Sequence, residues 1–120
     1  GQKCSAASRA YIPQSMWTKL KPILVETTNS LKMGTTEDFS NFINAVIDQK
    51  SFDKISSYID KVNESSEAEV IAGGSYDDSE GYFIEPTTII TTDPHFKTME
   101  EEIFGPVLAI LKYKGTSKAL

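Results

Sequence analysis

Apolar residues first recur at helical spacing from Gln14 onward. Met16, Trp17, Leu20, Ile23, Leu24 and Leu31 fall on one face of a helix. Ser15 is placed to cap its start and Gly34 to end it. Pro22 lacks an N–H and is expected to kink the helix or split it. Before this, residues 2–8 are small and helix-compatible, and predict a short helix with Cys4 in its first turn. Arg9 to Ile12 reads as a strand closed by Pro13. A second helix is predicted over 49–63, with Asp48 as N-cap and Phe52, Ile55, Ile59 and Val62 inward. Lys50, Asp53, Lys54, Asp60 and Lys61 form its wet face. Between the helices, 35–39 reads as loop, with Glu37 and Asp38 solvated. The apolar stretch 42–47 must pack somewhere. Strands are predicted over 68–72, 82–84, 87–91 and 107–113. Gly73-Gly74 ends the first, and 75–80 is a polar loop. Pro86 implies an edge or a bend, and 96–100 has room for one helical turn. Alternating helices and strands indicate an α/β architecture.

Composition narrows the field. A chain of 120 residues makes one domain and buries about two thirds of its unfolded surface. The net charge is −5, with no basic stripe to track phosphates, so nucleic acid is not an expected partner. No apolar run approaches the roughly 20 residues of a membrane span, so no membrane partner is expected. One cysteine excludes an internal disulfide, and with a single histidine, His95, it forms no metal-ligand cluster. The chain carries no initiating Met and no targeting segment, and it opens directly on a motif. It is therefore expected to be a fragment.

That motif is Gly1-Gln2-Lys3-Cys4. A single thiol serves as a nucleophile for acyl-level chemistry when its pKa is lowered or a base takes its proton. The start of a helix at Cys4 would favour a thiolate and an oxyanion. Small neighbours (Ser5, Ala6, Ala7, Ser8) leave room for substrate and cofactor. Taken alone, a lone cysteine is more often an inert small hydrophobe. Near the other end stands Met99-Glu100-Glu101-Glu102-Ile103-Phe104-Gly105-Pro106-Val107. Gly81-Tyr82-Phe83-Ile84-Glu85-Pro86-Thr87 and Ala72-Gly73-Gly74 lie between. Taken alone, Glu100 to Glu102 is a solvated acidic run.

Together, in this order and separation, these segments resemble the aldehyde dehydrogenase superfamily over nearly the whole chain. The resemblance implies an α/β fold with helices packed on a mostly parallel sheet. It implies that residues 1–120 are part of the catalytic domain, starting at the nucleophile motif. The NAD-binding domain, general-base glutamate, oxyanion asparagine and C-terminal end would lie outside. Cys4 corresponds to the catalytic nucleophile, and Glu102 and Phe104 to the pair that holds the nicotinamide ribose of NAD. Glu100 and Glu101 are left as structural. Within the superfamily, Gly1 to Ala6, Glu37-Asp38-Phe39, Ala45 to Asp48, Lys50-Ser51-Phe52 and Gly81-Tyr82-Phe83 are similar to members that oxidise L-glutamate gamma-semialdehyde to glutamate in proline catabolism. Ser5 corresponds to the serine that binds the substrate's α-carboxylate in those members. A mitochondrial-matrix location, if the source is eukaryotic, and a homo-oligomeric full-length protein are further implications. The isolated fragment is expected to be inactive. Two other readings remain open: another NAD(P)-dependent aldehyde dehydrogenase, or a non-catalytic relative used for binding or assembly.

Overall fold

A computed structural model describes residues 1–115 of the chain. Strand β1 spans Arg9–Pro13, followed directly by helix α1, Gln14–Ser30. Helix α2 spans Gln49–Glu64. Strand β2 (Ala68–Ala72), the short strands β3 (Tyr76–Asp77) and β4 (Phe83–Ile84), and strand β5 (Thr87–Thr91) follow. A one-turn helix α3 (Lys97–Glu100) precedes strand β6 (Val107–Tyr113). The main sheet has the order β1-β6-β5-β2. β6 runs parallel to both β1 and β5, and β2 is antiparallel to β5. β3 and β4 form a separate antiparallel pair.

The two-residue alternation of strand side chains sorts the core onto the two faces of the sheet. On one face, Trp17 of α1 packs with Ile12, Ile90 and Ile110. On the other, Phe52, Ile55, Ile59 and Val62 of α2 pack with Ile89, Ile103 and Val107. Met99 of α3 sits against Ala109 and Leu111. β5 lies between β6 and β2 and is buried along its full length. Its threonines are accommodated by hydrogen bonds: Thr88 Oγ1 lies 3.1 Å from Thr28 Oγ1, and Thr91 Oγ1 donates to the Glu67 carbonyl at 2.8 Å.

Helix α2 and the strands expected over 68–72, 82–84, 87–91 and 107–113 are present, but the expected polar loop 75–80 also holds the short strand β3, which pairs with β4. Asp48 caps α2 through its carboxylate, which accepts the Ser51 N–H at 2.8 Å. Four further local expectations need correction. Residues 2–8 form a turn rather than a helix, closed by the Ala6 N–H on the Lys3 carbonyl at 3.0 Å. Ser15 is not the cap of α1; Pro13 occupies that position, where its fixed φ suits helix entry without a side-chain bond. Gly34 does not end α1, which stops at Ser30. Gly34 instead donates to the Ile43 carbonyl at 3.0 Å, beside a parallel bridge between Met33 and Ile43. Pro22 does not split α1: it faces solvent, where water can satisfy the carbonyl it leaves unpaired. Pro86 marks a bend, at the passage from β4 to the interior strand β5. Gly73 has φ +68°, and a Cβ there would meet the Pro86 carbonyl oxygen at 2.0 Å. Only glycine fits that close approach.

Candidate active site

The amino-terminal turn and the segment before β6 are about a hundred residues apart in sequence and touch in space. A Cβ on Gly1 would fall 1.9 Å from the Gly105 carbonyl oxygen and 2.8 Å from the Pro106 nitrogen. A glycine is therefore required where the two segments cross. Gln2 makes a second tie, its side-chain carbonyl accepting the Ile47 N–H at 2.9 Å. A third lies at the entry to β1, where the Ala109 N–H donates to the Ser8 carbonyl at 2.9 Å. The Pro106 carbonyl in turn accepts the Thr87 N–H at 2.9 Å. Residues 1–8, 86 and 101–106 thus gather at the amino ends of the parallel strands β1, β5 and β6.

Cys4 is exposed within its turn, and Ser5 is exposed beside it. Among the described residues, the Cys4 N–H pairs with no backbone carbonyl, so it is available as a donor. Below the turn, Ala6 and Ala7 line a cleft of about 240 Å³ with Gly1, Thr88, Gly105 and Pro106. The helix start expected at Cys4 is absent. Any activation of the thiol must come from groups other than a helix dipole.

Glu102 and Phe104 line another cleft, of about 280 Å³, with Asp48, Lys50, Ser51 and Lys54. Phe104 has φ +58°, a left-handed conformation rare for a bulky side chain, and the residue is 39% exposed. Gly105 follows with no space for a side chain, a Cβ there falling 2.5 Å from Ile55 Cδ1. An exposed carboxylate, a flat ring and two lysines in one cleft fit a ribose bearing an aromatic base and phosphates. The residues present are therefore compatible with part of a dinucleotide. The sequence reading named Glu102 and Phe104 as candidates and assigned no role to Lys50 and Lys54, which it read as an ordinary wet helix face, although they line the same cleft. Their i, i+4 spacing puts them on one side of α2, but only the fold brings Glu102 opposite.

The two remaining glutamates of the run have structural partners. Glu100 Oε1 lies 2.6 Å from His95 Nδ1, and the hydrogen bond raises the His95 pKa. Glu101 accepts the hydroxyl of Tyr58 and faces Lys97 Nζ at 3.6 Å.

The profile of the Aldehyde dehydrogenase family matches residues 1–120. The mitochondrial delta-1-pyrroline-5-carboxylate dehydrogenase of Dictyostelium discoideum is 58% identical over 116 residues, covering 97% of this chain and 21% of that protein. The crystal structure of the Mycobacterium tuberculosis delta-pyrroline-5-carboxylate dehydrogenase bound with NAD superposes with a TM-score of 0.82 at 39% identity, over 95% of this chain and 20% of that one. An NAD+ complex of a Bacillus cereus aldehyde dehydrogenase gives 0.89 at 28% identity, over 99% of this chain and 24% of that one. The chain spans about a fifth of the length of the curated relatives it matches. A profile match along the whole chain, on a fold that brings the two motifs into contact, shows that the chain belongs to the aldehyde dehydrogenase family.

Proposed function

We propose that this chain is the nucleophile-bearing part of an NAD-dependent dehydrogenase that oxidises L-glutamate gamma-semialdehyde to L-glutamate in proline catabolism. The observation that carries this reading is the seating of Gly1 against Gly105 and Pro106. It sets the Cys4 turn beside the segment that bears Glu102 and Phe104. Identity of 58% to a pyrroline-carboxylate dehydrogenase supports the substrate. The chain's similarity to mitochondrial proteins of that family supports a mitochondrial location for a eukaryotic source.

In this reading the Cys4 thiolate attacks the aldehyde carbon, and the carbonyl electron pair moves onto oxygen. The exposed N–H of Cys4 donates to that oxyanion. When the oxyanion collapses, the C–H bond breaks and its electron pair leaves as hydride, giving a thioester on Cys4. Water then adds to the thioester, the C–S bond breaks, and the carboxylic acid departs. NAD, when bound, supplies the hydride acceptor. Glu102 accepts hydrogen bonds from the ribose hydroxyls, Phe104 packs beside the nicotinamide, and Lys50 and Lys54 bring positive charge toward the phosphates. The Ser5 hydroxyl, next to the nucleophile, binds the α-carboxylate of the semialdehyde. Residues 1–120 form part of the catalytic domain, and the general base, second oxyanion donor and dinucleotide-binding domain belong to the rest of the full-length enzyme.

The test is NADH formation by the full-length protein with glutamate gamma-semialdehyde and with simple aliphatic aldehydes, alongside Cys4→Ser. Preference for the semialdehyde, abolished in Cys4→Ser, is expected. Oxidation of simple aldehydes only would remove the substrate assignment. Absence of turnover with every aldehyde would favour a non-catalytic relative.

A further inference from the structure

Glu102 and Phe104 sit on a short stretch of chain without regular secondary structure, between α3 and β6. Such a stretch holds two ligand-facing side chains in place only if its neighbours are anchored. One anchor is Ile103, 2% exposed, in the same core cluster as Ile55, Tyr58 and Ile59 of α2. The other is Glu101. Its N–H donates to the Lys97 carbonyl at 3.0 Å, and its carboxylate accepts the Tyr58 hydroxyl. Tyr58 is itself only 5% exposed, one turn along α2 from Ile55, so its ring cannot swing away from this partner. Glu102 is thus the one free side chain between two tied residues. Phe104 follows directly, in a left-handed conformation that persists only where the surroundings over-determine it.

The charges around the contact reinforce it. Lys97 Nζ lies 3.6 Å from Glu101 Oε1 and 5.7 Å from the Tyr58 ring centroid, and Lys61 Nζ lies 6.0 Å from the same ring. The Tyr58 hydrogen bond, aided by these lysines, holds the Glu101 carboxyl below its ordinary range. Tyr58 is pushed up to about 12, by burial first and then by Glu101. The phenol remains a donor and the carboxylate an acceptor throughout the neutral range.

We propose that Tyr58 is a positioning residue: by clasping Glu101 it holds Glu102 and Phe104 where they receive the nicotinamide half of NAD. This rests on the cofactor role given above to Glu102 and Phe104. Tyr58→Phe removes one hydroxyl and leaves the ring, so the core is kept. The released Glu101 carboxylate is half-exposed and can take water instead.

In the full-length enzyme, Tyr58→Phe should raise the NAD dissociation constant and the KM for NAD about fivefold, the loss expected for one charge-assisted hydrogen bond partly replaced by water. The aldehyde KM and the rate of Cys4 alkylation without cofactor should stay at their wild-type values. Amide hydrogen exchange over residues 101–105 should accelerate in the cofactor-free protein. Glu101→Ala should reproduce these effects, and Glu101→Gln, which keeps a carbonyl acceptor, should reverse most of them. A Tyr58→Phe protein with a lower Tm but unchanged NAD binding and unchanged exchange at 101–105 would overturn the clasp alone. So would an equal fall in every kinetic parameter. A wild-type protein that binds no NAD would overturn the functional reading, and with it the role of the clasp.

Discussion

At the scale of single residues, the acidic run Glu100 to Glu102 shows how neighbours of one type diverge. Glu100 pairs with exposed His95, Glu101 with buried Tyr58, and Glu102 turns into the cleft. The His95 pair is a testable case of linkage. Its hydrogen bond to Glu100, with Asp93 adding to the local negative charge, raises the imidazole pKa above its ordinary 6.5. A raised folded value means that the pair stabilises the fold fully below pH 6.5, and that the contribution disappears as pH rises through the folded pKa. NMR titration of His95 should give a midpoint above 6.5, moving back toward it in Glu100→Gln. A midpoint unaffected by that substitution would show that the pair does not form in solution. The three glutamates have one composition and one local propensity, so their separate partners were not legible in the sequence. The resemblance singled out Glu102 by position alone.

At the scale of elements, α2 was the most legible part of the chain. Its apolar residues repeat at helical spacing, Asp48 stands at its start, and every residue assigned inward is buried. Asp48→Ala should remove the acceptor of the Ser51 N–H and weaken the first turn by about 1 kcal/mol. The readout is amide exchange at residues 51–54, expected to accelerate about fivefold. Unchanged exchange would mean that packing of Phe52 alone secures that turn. α1 was less legible, for a physical reason. Its inward face is narrow, so Met16 and Ile23 are exposed although their spacing places them with Trp17. Periodicity reports an apolar stripe and not whether another element covers it. The turn at Cys4 was also misread. Small residues tolerate a helix, but seven residues are too few to nucleate one without packing.

At the scale of the whole molecule, the core on both faces of the sheet contrasts with an apolar surface elsewhere. Phe39 is 97% exposed and Phe42 72%, with Ile47 and Ile23 also largely in water. Large apolar side chains exposed in this number are a reason to expect cover by other protein. Given that the chain spans about a fifth of its relatives' length, the expected cover is the remainder of the enzyme. Residues 1–120 expressed alone should bind a hydrophobic dye such as ANS, self-associate, and form no NADH with any aldehyde. Measurable turnover by this chain alone would contradict the division of the site proposed above.

The amino-acid sequence by itself determined the α/β class, the inward face and cap of α2, and the positions of strands β5 and β6, and the resemblance named Cys4, Ser5, Glu102 and Phe104 as candidates. Those follow from local spacing and from motif order, which a linear chain records. Only the tertiary structure decided that the Cys4 turn crosses Gly105 and Pro106, that the candidate site residues gather at the amino ends of the parallel strands, and that Lys50, Lys54 and Tyr58 lie against the Glu101–Phe104 segment. Each of these depends on contacts between residues tens of positions apart. No local propensity encodes such contacts; they exist because α2 and the loop before β6 bury their apolar side chains in the same core cluster, against the same sheet face.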